Sequence, residues 1–270
     1  MAGCGKIFMR GKDRVAGLLS VERKRMEDML ISSALVVGVI LGVYGNLEVD
    51  DRCWLGVSWL VQMKKFWYIT HFSLLLATIG MGFGACCRLR RLAGWPVSCW
   101  MEEWHLLLVS VLLPVEVVVA GLFWPVWWYD PHLVFSRRSL VGCHAPGVLY
   151  NVCTHGLPVL FLGLDYLFLE VSKEKRYRWE LAGYAGLVAV LCVGHRVVYG
   201  YWRYRILKVL PGWGLPLGGL VLGGVLLGVH EGCARIRSRY FRYWVRRREI
   251  MKEILLWNAN PIGLSKECMG

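Results

Sequence analysis

An amide, an imidazole and a carboxylic acid stand in one apolar stretch: Asn151, His155 and Asp165, inside the run Gly147 to Leu169. The run is long enough to cross a bilayer. A charged side chain at that depth costs roughly 2.5 to 3.5 kcal/mol on insertion scales, so such groups face a protein interior or a wet cavity. Asn151 and His155 are spaced i, i+4, and a helix sets both on one face about one turn apart. An imidazole there can accept and return a proton, and an amide beside it can donate a hydrogen bond. Asp165 lies roughly 15 Å further along a helix axis, too far to orient that imidazole. Thr70, in the run Phe66 to Cys87, and His195, in the run Leu181 to Tyr201, complete the set.

The elements that must position these groups follow from composition. Hydrophobic residues make up 56% of the 270, with 14 Trp and a mean hydropathy of +0.45. That is too apolar for a soluble domain of this size and predicts an all-α, polytopic membrane protein, a six-transmembrane-helix bundle. The net charge of +13 does not imply a nucleic-acid partner, because the Lys and Arg fall between and outside the apolar runs, as in membrane proteins. The ten Cys show no CxxC pair, so neither a zinc site nor a disulfide framework is expected. No HxxxH or HxxHH pattern gathers metal ligands, and no cofactor is expected.

In chain order, residues 1–28 form a basic arm, 29–230 a six-helix transmembrane domain, and 231–270 a basic tail. The first run, Met29 to Leu47, reads as an uncleaved anchor with a GxxxG face at Gly38 and Gly42. The second carries Gly80, Gly82 and Gly84 near its end. The third, Trp104 to Trp128, contains Pro114 and Glu116 and closes in the aromatic cluster FWPVWWYD, of the kind found at a membrane interface. The sixth, Trp213 to His230, repeats small-xxx-small spacing at Gly214/Gly218, Gly219/Gly223 and Gly224/Gly228, which predicts close helix approach.

Loop charge sets the expected orientation. The two terminal segments with the second and fourth loops hold 23 Lys and Arg, against 8 in the first, third and fifth loops, so both termini are expected in the cytosol. Thr70, His155 and His195 then fall roughly 8 to 12 Å below the far surface, counted at 1.5 Å per residue. One cavity could hold all three. His71 points about 100° away from Thr70 and fits that cavity less well, and Asp165 belongs to the cytosolic half.

FWPVWWYD (Phe123 to Asp130), then Asn151-x-x-x-His155 and the acidic Asp165, resembles the androgen-induced protein family, which includes the androgen-dependent TFPI-regulating protein. Tyr68-Ile69-Thr70 is similar to that family's start of its second span, and Gly200-Tyr201-Trp202-Arg203-Tyr204 to its G-x-W-x-Y segment. The likeness covers roughly residues 60 to 230. It implies a multi-pass hydrolase of fatty acid esters of hydroxy fatty acids, with a lipid substrate, Thr70 as nucleophile and His155 as its base. His71 after the threonine, Gly156-Leu157-Pro158 after the histidine, and the long basic ends depart from the family pattern. Pro158 would kink the fourth run beside the site.

A hydroxyl is a weak nucleophile at neutral pH and needs a base within reach, which the Thr70 and His155 pair would supply. Asn151 is the candidate oxyanion donor, and His195 a candidate for orienting the substrate or tuning His155. The plainer account has Thr70 bonded to its own helix carbonyl and Asn151 and His155 bonded to a neighbouring helix. The competing class is a non-enzymatic membrane scaffold or carrier. Arginines and aromatics interleave from Arg235 to Lys252, a pattern suited to anionic headgroups. The expected location is the endoplasmic reticulum, another endomembrane or the plasma membrane.

Overall fold

The computed structural model describes residues 4–47, 69–130, 148–169, 177–200 and 214–258. These form seven helices: α1 (Cys4–Leu47), α2 (Ile69–Leu92), α3 (Cys99–Tyr129), α4 (Val148–His155), α5 (Leu157–Phe168), α6 (Arg178–Tyr199) and α7 (Gly214–Asn258). No strand occurs among the described residues. Six segments are long and apolar enough to cross a membrane, α4 and α5 together making one of them, so the protein is an all-α multi-pass membrane protein. The stretch expected as a basic arm, 1–28, is helical from Cys4 onward within α1. By Cα proximity the chain divides into two units, residues 1–230 and 231–270.

Within the first unit, α1 packs along α2, α2 along α3, and α5 against α1 and α3. Small residues permit the first of these contacts. A Cβ on Gly38 would meet Met81 Sδ at 2.6 Å, one on Gly45 would meet Thr154 Cγ2 at 2.8 Å, and one on Gly42 would collide with the Thr78 hydroxyl. The GxxxG face of α1 is thus a true helix–helix seam. The glycines of α7 are not: a Cβ at Gly218, Gly219, Gly223, Gly224 or Gly228 meets nothing within 4 Å. Spacing of small residues permits close approach but does not supply the neighbour. α7 instead presents Leu226, which joins Val115, Val118 and Val119 of α3 and Tyr184, Val188 and Cys192 of α6 in a buried apolar cluster.

Prolines shape two further joints. Pro114 has no N–H for the carbonyl four residues back, which is that of Ser110. His230 Nδ1 approaches that oxygen at 3.3 Å, so α7 is tied to α3 where α3 lost its own bond. In the fourth span, Gly156 interrupts the helix and Pro158 sits in the first turn of α5. The irregularity is confined to one residue: Gly156 stays right-handed (φ -114°, ψ -55°) and its N–H bonds Val152 O at 2.9 Å. Irregular backbone at membrane depth persists only where it is buried in protein or lines a cavity.

Four helices are joined at one side of the bundle by charge. Arg88 (α2), 2% exposed, donates from Nη2 to Asp165 Oδ1 at 2.6 Å and from Nε to the same oxygen at 3.0 Å. Its Nη1 donates to Asp28 Oδ1 of α1 at 2.8 Å. His105 Nε2 of α3 lies 2.6 Å from Asp165 Oδ2 of α5. Gly84 makes room, since a Cβ there would lie 2.7 Å from His105 Nε2 and 2.8 Å from Asp165 Oδ2. The turn from α2 to α3 keeps register with a left-handed Gly94 (φ 73°) and bonds from the Gly94 N–H to Arg91 O and the Trp95 N–H to Arg90 O, a Schellman closure.

Removing one partner of a buried ion pair leaves the other uncompensated and costs about 3–5 kcal/mol, whereas exposed pairs are worth under about 1. Arg88→Met is therefore expected to lower the thermal midpoint of the detergent-solubilised protein far more than Arg91→Met, whose guanidinium is 26% exposed and 3.7 Å from Asp28. Differential scanning fluorimetry measures both. Equal, small shifts would show that the cluster does not hold the helices.

Candidate functional site

The opposite ends of α2, α3 and α4 carry the residues that sequence spacing points to. His155 closes α4 and is 6% exposed. Its ring stacks on Phe123 of α3, with centroids 3.6 Å apart and planes 20° from parallel. Phe123 is the first residue of the aromatic cluster expected at the interface. The cluster divides: Phe123 is buried, while Trp128 and Tyr129 are 76% and 86% exposed. Trp124 packs edge-on to Phe123 and to Trp127, which braces the ring that braces His155. The His155 Nδ1 atom is buried and makes no hydrogen bond among the described residues.

Thr70 and His71 lie in the first turn of α2. His71 follows Thr70 in that turn and is half-buried. Thr70 is half-buried, and its hydroxyl is not hydrogen-bonded to His155 or to any other described residue. The Thr70 carbonyl accepts the Ser73 hydroxyl at 3.1 Å.

Asn151 is fully buried one turn before His155, and its carbonyl accepts the Thr154 hydroxyl at 3.3 Å. His195, 2% exposed, has its ring 4.7 Å from that of Tyr199. Neither forms a hydrogen bond or ring contact with Thr70 or His155 among the described residues, so the expectation that His195 shares their cavity gains no contact. Tyr68 and Tyr201 to Tyr204 lie outside the described residues. Asp165, taken up by Arg88 and His105, does not orient His155, as its spacing indicated.

One polar group in this half was visible in the sequence but given no role. Glu116 is fully buried on α3, two turns from Phe123 on the same face. The Ser73 hydroxyl approaches it, yet neither carboxyl oxygen completes a hydrogen bond among the described residues. No group of three or more metal-ligating side chains occurs among them.

This arrangement sits within the part of the chain that a family model matches. Residues 62–217, more than half of the sequence, fit the FAR-17a/AIG1-like protein model, and the chain belongs to that family, the androgen-induced proteins. Neither a curated protein nor a solved structure matches it.

A buried polar group without hydrogen bonds costs about 1–3 kcal/mol, and an apolar side chain of similar size removes that cost. Glu116→Leu is therefore expected to raise the thermal midpoint of the purified protein by several degrees, with Glu116→Gln intermediate. A lowered midpoint for Glu116→Leu would mean that the carboxyl has partners that offset its burial.

Proposed function

We propose that the protein is an integral membrane lipid hydrolase that cleaves fatty acid esters of hydroxy fatty acids, with Thr70 as nucleophile and His155 as general base. One observation carries this reading. A buried imidazole is clamped flat against Phe123 with its Nδ1 unbonded among the described residues, at the end of a helix, α4, that packs against α2, the helix bearing Thr70.

In the proposed reaction the Thr70 Oγ attacks the ester carbonyl while His155 takes the hydroxyl proton. The C–O bond to the leaving group breaks, and His155 returns the proton to that oxygen, releasing a hydroxy fatty acid and leaving an acyl-threonine. Water, deprotonated by the same imidazole, attacks the acyl carbon and regenerates Thr70 as the free fatty acid departs. The oxyanion requires donors aimed at the developing charge, and Asn151 is assigned that role. His195 is assigned to substrate orientation. The charge asymmetry of the loops supports both termini in the cytosol and a site opening toward the other face, in an endomembrane or the plasma membrane.

The competing reading, a non-enzymatic scaffold or carrier, has one observation on its side: Thr70 and His155 are not hydrogen-bonded. Catalytic hydrogen bonds are often long or misaligned without substrate and tighten when it binds, so this does not decide against catalysis.

Thr70→Ala and His155→Ala, each purified as a monodisperse protein, are expected to lose ester hydrolysis by about 10²-fold or more, the scale of a lost general base. Wild type is expected to take up a fluorophosphonate probe at Thr70, and Thr70→Ala to lose that label. Intact hydrolysis in either folded variant, or no labelling at all, would favour the carrier.

A further inference from the structure

The second unit begins where α7 has used the length it needs to cross the membrane. Twenty helical residues span a hydrocarbon core of about 30 Å, a count that runs from Leu215 to Ala234. Arg235, Arg239, Arg242 and Arg246 follow at intervals of four, three and four, which sets them within about 60° of one another around the helix. All four are exposed. None is in an ion pair with a carboxylate among the described residues, and Arg242 Nε reaches only the Ser238 carbonyl at 3.3 Å.

The rest of the circumference differs in kind. Tyr240 and Trp244 pack edge-on with centroids 5.9 Å apart, Arg247 lies over the Trp244 ring at 5.5 Å, and Arg237 is 8% exposed. Arg237 is thus buried and Arg247 lies over an aromatic face, whereas the aligned four are presented to solvent. Retention of positive charge on the cytosolic side accounts for how many arginines follow a span. It places no demand on which face they occupy.

We propose that the Arg235–Arg239–Arg242–Arg246 face binds the phosphate-bearing headgroups of anionic lipids in the leaflet from which α7 emerges. A guanidinium forks onto phosphate oxygens through paired N–H donors. The stripe is about 16 Å long at 1.5 Å per residue, so it starts within the headgroup layer and ends within about two Debye lengths of it. A single row, unlike charges spread around the helix, lets several guanidiniums act on one line of headgroups. Aromatic side chains on the flanks, Tyr243 among them, suit the amphipathic boundary between headgroup and hydrocarbon.

The test uses the full chain reconstituted in vesicles of phosphatidylcholine with 20% phosphatidylserine, re-extracted in mild detergent, with the lipid retained per protein quantified by mass spectrometry. Wild type is expected to retain phosphatidylserine above its bulk proportion, and 1 M NaCl in the extraction to remove the excess. Arg242→Gln/Arg246→Gln is expected to lower the enrichment about tenfold. Arg247→Gln/Arg248→Gln, an equal loss of charge at a similar position along the helix, is expected to leave most of it. Arg242→Lys/Arg246→Lys, which keeps the charge, is expected to retain a substantial part and reports that substitution at these positions is tolerated by the fold. Equal losses from the two Gln pairs would mean that only total charge matters, and no enrichment in wild type would mean that the row binds no anionic lipid; either result overturns the proposal. Because lipid retention is read without any ester turnover, it stands or falls apart from the hydrolase reading.

Discussion

A single guanidinium, that of Arg88, reaches two aspartates from the first and fourth spans, Asp28 on α1 and Asp165 on α5. Through Asp165 the network continues to His105 on α3. Four helices are thereby fixed in depth and rotation at one side of the bundle. In a lipid environment, where hydrophobic burial between helices supplies little drive, such a directional constraint sets register that apolar packing leaves loose. The formal charges of Asp28 and Asp165 are balanced by Arg88 and Arg91, which tempers the penalty of removing them from water.

Register fixed at that side determines what meets at the other. With α2, α3 and α5 locked, the first turn of α2 and the Phe123 end of α3 both fall alongside α4. His155 is accordingly held by a ring stacked on its face and not by a hydrogen-bonded acid. That leaves the imidazole edge available while the plane is fixed. The same division of labour recurs at Pro114, where a missing N–H is met by His230 from α7. Each break in regular structure in this bundle is matched by a contact from another element.

Much of this architecture was legible because the bilayer demands it. Twenty apolar residues per crossing, a glycine face on α1 and a Gly-Leu-Pro interruption after His155 all carry local causes, and each is found in the structure. The ionic cluster was not legible: Arg88 stands next to a loop and reads as one more basic residue flanking a span. Its partners are 60 and 77 positions away in sequence, and no local pattern pairs them. The α7 glycines misled for the converse reason, since a smooth helix face records the possibility of contact without naming a partner. For the site, the i, i+4 pairing placed Asn151 and His155 on one buried turn. The stacking role of Phe123 depends on tertiary geometry that spacing does not encode.

The account of catalysis turns on a covalent bond to one hydroxyl. The most direct measurement is mass spectrometry of the acid-quenched wild-type protein within the first turnovers on an ester substrate, with the peptide carrying Thr70 searched for the added acyl mass. An acyl group on Thr70 that forms and decays with the rate of product release is the expected result. Product release with no acyl group on Thr70, or with the acyl group on another residue such as Ser73, would contradict it.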